Sequence, residues 1–247
     1  MVSIDTNLSM YNNLVIVIIR SKWNEQIQWI NSICKSGKKF KILHFSDEFE
    51  QDPVFFYDYP QVTGVLRFYK RNDINTSKVL TIPLGYHWKN TSPIIPVEKR
   101  KYILSFHGTN WKRRSEELAP LLTITPSNIQ FYPDWNHPSQ LDEDDYLDLL
   151  LNSIFMPCPR GNNIETFRFY EALECGCIPV FTELPEVLDN SGLPFLKCET
   201  WTKVLEEIEH LNANPAILLE YHKNLMNAWV CYKDTLKKKA TEWLMVV

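Results

Sequence analysis

The chain has no Cys-x-x-Cys pair, no apolar run long enough to cross a bilayer, no excess of basic charge and no internal repeat. Each absence removes a class of protein. The six cysteines, at 34, 158, 175, 177, 198 and 231, lack the paired spacing of a structural zinc site. Cys175 and Cys177 stand too close for an unstrained mutual disulfide, so all six read as reduced thiols in or near a core, which suggests a reducing compartment. The apolar stretch "NLVIVIIR" is too short to span a membrane, with no basic region before it and no small-residue cleavage site after it. The expectation is a cytoplasmic protein without a membrane span. Net charge is -4, from 26 Lys and Arg against 30 Asp and Glu, which disfavours a nucleic-acid partner. Of the two basic clusters, "KRR" at 112–114 and "KKK" at 237–239, the second reads as a solvated helix face.

What is present is apolar and patterned. Hydrophobic residues make up 45% of the chain, enough for one large core or two small domains sharing a cleft. "LVIVII" (14–19) is a continuous β-branched run of the kind buried on both faces of a parallel sheet. A helical stretch with Ile27, Ile30 and Ile33 follows and stops at Gly37; "FKILHF" (40–45) is the next strand. The β-α-β opening favours a parallel sheet with a right-handed crossover, continued by "GVLRFY" (64–69) and "KVLTIPLG" (78–85). Residues 89–101 carry Ser, Thr and two prolines and read as an interdomain linker. The pattern then restarts: "YILSFHG" (102–108) as a strand, then helices over 112–122 and 142–153, strands at 153–159 and 177–181, a helix over 200–211 capped by Thr200 or Thr202, and a helical tail. The expected domains are 1–92, 93–225, and a C-terminal helix over 226–247 packing back on the first.

The densest chemistry lies in "PRGNNIETFRFYEALECGCIPV" (159–180), between two strands. This reads as a βαβ unit whose loop falls at the carboxyl edge of the sheet, where open α/β folds bind ligands. Gly161 frees the loop, Asn162 is the expected helix cap with Glu165 completing a capping box, and Gly176 ends the helix. Arg160 stands beside the helix start, and Arg168 and Glu171 are three apart on one face. A helix N-terminus and two arginines suit a diphosphate, and a carboxylate suits ribose hydroxyls.

The same string resembles the donor segment of exostosin-like glycosyltransferases, in the viral and ribitol-xylosyltransferase-like branch. Pro159, Gly161, Thr166, Arg168, Glu171, Ala172, Gly176, Cys177, Ile178, Pro179 and Val180 match that pattern one by one. "LHFSDEF" (43–49), "VLRFYKR" (65–71), "TIPLGY" (81–86) and "SFHGTNWKRR" (105–114) follow in the same order, so the resemblance covers roughly residues 40–185. It implies an α/β GT-B fold: two Rossmann-like domains facing across a cleft, with the C-terminal helix crossing back. It further implies inverting transfer from a nucleotide sugar, usually a UDP-sugar and in this branch UDP-xylose, to a glycan acceptor, with no metal required. No Asp-x-Asp follows a strand, and "DEDD" (142–145) opens a helix instead.

Inverting transfer needs a base, expected from the acceptor-binding first domain. Asp47 is the first choice and Glu48 the second, both just past a strand, and a plain turn is the alternative for either. Arg67, in an otherwise apolar strand, is expected to face the cleft or to snorkel at an edge. His107, Gly108 and Thr109 are expected to line the donor site, with Arg113, or else Arg114, reaching the diphosphate. Tyr86 and Trp88 serve either a sugar or base stack or the core, and His137 reads as a loop residue. A non-catalytic nucleotide- or carbohydrate-binding module on the same fold is the rival reading.

Overall fold

The computed structural model describes residues 14–18, 23–74, 76–196 and 198–245. Ile19, which closes the expected first strand, lies outside them, as do 1–13 and 246–247 at the ends of the expected domains. The chain is α/β and divides into two compact units. One runs through Pro83 and takes in the chain from Leu236 onward; the other is Leu84–Thr235.

The first unit holds β1 (Leu14–Ile18), α1 (Trp23–Lys35), β2 (Phe40–His44), β3 (Val62–Arg67) and β4 (Val79–Thr81). All four strands are parallel, in the order β1-β2-β3-β4. Ile30 and Ile33 of α1 join Ile16, Ile18, Ile42, Phe56 and Val65 in one core, as their helical and strand spacing dictates. β1 departs from the expectation of burial on both faces: Val15 and Val17 are 40% and 48% exposed. A strand at the end of the sheet order has alternating environments, which its uniformly apolar sequence does not reveal.

The second unit holds β5 (Tyr102–Thr109), α2 (Arg114–Glu117), β6 (Ser127–Tyr132), α3 (Glu143–Leu151), β7 (Ser153–Pro157), α4 (Phe167–Glu174), β8 (Ile178–Val180), α5 (Trp201–Ala213) and the start of α6 (Pro215–Met245). Its strands are again parallel, in the order β6-β5-β7-β8. From β5 the chain moves outward to β6, then returns to place β7 on the other side of β5. That reversal makes the β5/β7 carboxyl edge the switch point, where loops diverge and leave a crevice. Asp142 caps α3 by accepting from the Asp145 amide at 2.9 Å, and Thr200, not Thr202, caps α5. β6 carries no strong periodicity and was not anticipated.

The expected linker over 89–101 belongs instead to the second unit, and the division falls between Pro83 and Leu84. Arg100 is the cause. Its buried guanidinium donates to the carbonyls of Ser153 at 2.5 Å, Cys175 at 2.9 Å and Ile95 at 3.1 Å. A guanidinium bonded to two distant chain segments, at Ser153 and Cys175, ties its own segment to them. At the other end, the last residues of α6 pack with the first unit. Lys41 Nζ donates to the Trp243 and Leu244 carbonyls and lies 4.9 Å from the Trp243 ring, and Gly64 leaves space for that indole. Among the described residues, no helix is long and apolar enough to cross a membrane.

Candidate functional site

The carboxyl edge of the second sheet gathers most of the residues singled out in the sequence. A cavity of about 190 Å³ opens there, lined by Trp111 and Lys112 after β5, Cys158, Arg160 and Gly161 after β7, and Thr182 after β8. It is smaller than a pocket for a whole nucleotide sugar and suits one charged or ring-sized group.

Two guanidiniums dominate this edge. Arg168, at the start of α4, donates Nη2 to the His107 carbonyl at 2.8 Å and lies 4.3 Å from the Phe106 ring. Gly108 makes that approach possible, because a Cβ there would lie 2.9 Å from Arg168 Nη2. Arg114 is buried and donates to the carbonyls of Thr109 and Arg160, both at 3.1 Å. Burial and the neighbouring charge of Arg168 bring its pKa down to about 10. Among the described residues, Arg114 Nε and Arg168 Nη1 are buried with no hydrogen-bond acceptor. Buried donors of this kind are rare and costly, and positively charged ones call for an anion.

Arg113, the arginine favoured from sequence, is not part of this edge. It is 79% exposed and pairs with Glu116 at 2.6 Å. The reason is local: Lys112 and Arg113 both have positive φ, 48° and 65°, which breaks the expected helix over 112–122 and turns Arg114 inward. Arg160 is more than half exposed, 3.8 Å from Glu183.

The helix start also differs from expectation. Thr166, not Asn162, is the residue before the first turn of α4, and its side chain makes no capping bond. Asn163 orders the preceding loop, its side chain accepting from the Glu165 amide and its carbonyl from the Gly161 amide, both at 3.0 Å. Glu165 is drawn inward, where it accepts from the Leu84 amide at 2.6 Å and from the Tyr170 hydroxyl. Gly176, φ 71°, ends α4 as anticipated: its amide and that of Cys177 bond the carbonyls of Leu173 and Ala172.

Glu171 is buried, and its Oε1 accepts from the His87 amide at 3.2 Å. Burial raises its pKa, against the opposing effects of the Arg168 charge, the His87 and Trp88 amides and the Tyr146 hydroxyl. Glu165 and Glu171 together therefore hold the 84–88 segment onto α4, a role the sequence did not signal because the partners are more than 80 residues apart. Trp88 packs edge-on to Tyr146 and Tyr86 is exposed. His107 points sideways along the sheet, bonded to Tyr132 and Asn128 at 2.8 Å each; burial lowers its pKa.

In the first unit, Asp47 is not placed as a base. It is 1% exposed, has φ 86°, and accepts from Arg67 at 2.6 Å, Arg71 at 2.9 Å and the Asp52 amide at 2.6 Å. Burial alone would raise its pKa, but the Asp52 amide and the two guanidiniums outweigh it and hold the carboxyl below its usual range. Its lone pairs are committed and its proton affinity is low, the opposite of what proton abstraction needs. Arg67 is the other half of this buried pair, with Nε on the Phe68 and Tyr69 carbonyls, so it neither snorkels nor offers its charge to solvent. Arg71, which no sequence pattern marked, completes the cluster by bridging Asp47 and Asp73. Glu48, beside Asp47, is half-buried. Among the described residues, no group of three or more His, Cys, Asp and Glu side chains is arranged to hold a metal ion.

Comparison with known proteins matches the exostosin GT47 domain to residues 63–209. Human ribitol-5-phosphate xylosyltransferase 1 is 25% identical over 88% of this chain and 51% of its own length; the mouse protein is 26% identical over 69% and 45%. The Caenorhabditis elegans exostosin-1 homolog is 31% identical over 42% of this chain and 30% of its own. The chain thus spans about half the length of the xylosyltransferases it matches. The matched span takes in β5 to α4 and both inward-turned arginines, and the chain belongs to the exostosin GT47 domain family.

Proposed function

We propose that the chain is an inverting glycosyltransferase of GT-B type. The second unit takes the donor, a UDP-sugar, and the first presents the acceptor. The observation that carries this reading is the pair of buried, acceptor-less donors, Arg114 Nε and Arg168 Nη1, at the switch-point edge. A diphosphate supplies the missing oxygens and negative charge, and guanidiniums bind such oxygens bidentately. Arg160 lines the cavity at this edge. Glu171 takes the ribose: a carboxylate accepts about four hydrogen bonds, which leaves room for a hydroxyl beside His87, Trp88 and Tyr146.

The reaction is a single displacement. A base removes the acceptor proton, the acceptor oxygen attacks the anomeric carbon from the face opposite the nucleotide, and UDP departs with the bonding pair. Arg114 and Arg168 stabilise the charge that develops on the leaving diphosphate, a preorganised electrostatic effect that needs no metal. Glu48, half-buried where Asp47 is buried between Arg67 and Arg71, takes the base role. The names of the relatives make UDP-xylose the first donor to try and ribitol 5-phosphate the first acceptor.

The test is a panel of UDP- and GDP-sugars, read by thermal stabilisation and by slow donor hydrolysis in EDTA. UDP-sugars are expected to stabilise the protein and be hydrolysed with chelator present. A second reading, a binding module without turnover, is favoured by the one fact that Asp47 is unfit as a base. It predicts the same stabilisation with no hydrolysis and no loss on Glu48→Gln.

A further inference from the structure

Tyr146 is a buried phenol beside Glu171 to which the donor reading gives no part. It lies in α3, on the face that also buries Leu149 and Leu150, and is 6% exposed. That face could have been wholly apolar. A hydroxyl taken out of water costs free energy unless it meets a partner. The partner here is the Glu171 carboxylate. The Trp88 ring packs edge-on against Tyr146, centroids 5.2 Å apart, and steadies the ring that carries the hydroxyl. α3 is anchored at its start, where the Asp142 side chain accepts from the Asp145 amide and the Asp142 carbonyl from the Tyr146 amide at 3.0 Å.

The groups bonded to Glu171 are all donors. The His87 amide lies 3.2 Å from Oε1, and the Trp88 amide and the Tyr146 hydroxyl complete the set. The two amides belong to the 84–88 segment, whereas the phenol comes from a packed helix. The charged and titratable groups that face Glu171 are Arg168 on its own helix, Tyr146 on α3, and the Cys158 and Cys175 thiols. Burial pushes both thiols up, so they stay neutral, and it raises the phenol too, so it stays a donor. Arg168 favours the ionised carboxyl by its charge and Tyr146 by a hydrogen bond, both against the cost of burial.

We propose that Tyr146 is a positioning residue: its hydroxyl holds the Glu171 carboxylate as an acceptor for the ribose hydroxyls of the donor, so that ribonucleotides are favoured over deoxy ones. This rests on the reading of Glu171 as the group that takes the ribose. An ionised carboxylate only accepts, so a sugar hydroxyl can donate to it. Once protonated, it presents a donor of its own and the match is lost.

The test is calorimetric titration of UDP and of 2′,3′-dideoxy-UDP, across pH, into the wild type, Tyr146→Phe and Leu149→Ala. Tyr146→Phe keeps the ring and loses the hydroxyl. Leu149→Ala loosens the same helix face and keeps the hydroxyl, so it reports what destabilisation alone does. The wild type is expected to prefer UDP about tenfold, Tyr146→Phe to lose most of that preference with dideoxy-UDP affinity unchanged, and Leu149→Ala to keep it. What preference remains in Tyr146→Phe should vanish at a higher pH than in the wild type, because Glu171, short of a donor, protonates sooner as the pH falls. Carbon-13 NMR titration of Glu171 without ligand reads the same change directly, as a midpoint that moves up in Tyr146→Phe. Full preference in Tyr146→Phe, an equal loss in Leu149→Ala, or an unmoved Glu171 midpoint overturns the role of Tyr146 and leaves the donor site standing. A wild type that binds neither nucleotide, or both alike, refutes Glu171 as the ribose ligand and this proposal with it.

Discussion

Arg168 occupies the space that a side chain on Gly108 would fill, its Nη2 lying 2.9 Å from the position of a Cβ there. β5 thus gives up a side chain so that the α4 arginine can lie against its backbone, bonded to the His107 carbonyl and over the Phe106 ring. Gly108→Ala is therefore expected to displace the guanidinium with little effect on the strand itself. UDP binding should weaken about tenfold while the melting temperature moves by only a few degrees, measured by calorimetric titration and thermal unfolding.

Arg114 and Arg113 are adjacent and should behave oppositely. Arg114→Met removes a buried cation facing the proposed diphosphate and is expected to weaken UDP binding about 10- to 100-fold, the usual worth of a charged hydrogen bond. Arg113→Ala removes an exposed ion pair with Glu116 and should leave binding and stability nearly unchanged. Titration of both variants with UDP checks this; equal effects would contradict the inward turn at 112–113.

Asp47 should matter for stability more than for proton transfer. Asp47→Asn leaves the buried Arg67 without its counter-charge, while Arg71 keeps Asp73, a loss of about 3–5 kcal/mol. Its carboxyl titrates below the ordinary range, so its contribution is complete above the unfolded carboxylate pKa and disappears as the pH falls through the lower, folded value. Urea unfolding across pH should show an acid limb in the wild type that is flatter in the variant. Full stability in Asp47→Asn with turnover abolished would restore it as the base.

Glu165 carries the opposite sign. Burial raises its pKa, against the Tyr170 hydroxyl and the Leu84 amide, so its ionisation costs stability as the pH rises through and above the usual carboxylate range. Glu165→Gln should reduce that loss, and the stability difference from wild type should change with pH on this limb, as read by the same unfolding series.

The α4 region was the most legible part of the sequence because its determinants are local. Gly176 has to follow the helix, and a Cβ there would meet both Arg100 and Ile94 at 2.7 Å on top of a left-handed backbone. Strands β2, β3, β5, β7 and β8 and the helices α1, α3 and α5 followed from spacing in the same way. What the sequence hid was long-range or conformational. Arg100 sits in a stretch with two prolines, a serine and a threonine that reads as a linker, yet it bonds to β7 and to the end of α4. Asp47 looks like an exposed turn acid until Arg67 and Arg71, 20 and 24 residues on, close over it. Arg114 outranks Arg113 only because two non-glycine residues adopt positive φ, which no helical pattern foretells.

The most direct measurement is calorimetric titration of UDP into the wild-type protein and into Arg168→Met. The account predicts saturable one-to-one binding to the wild type, weakened at least about tenfold in the variant, whose fold is unchanged by circular dichroism. No heat with the wild-type protein, or equal affinity in the two, would contradict it.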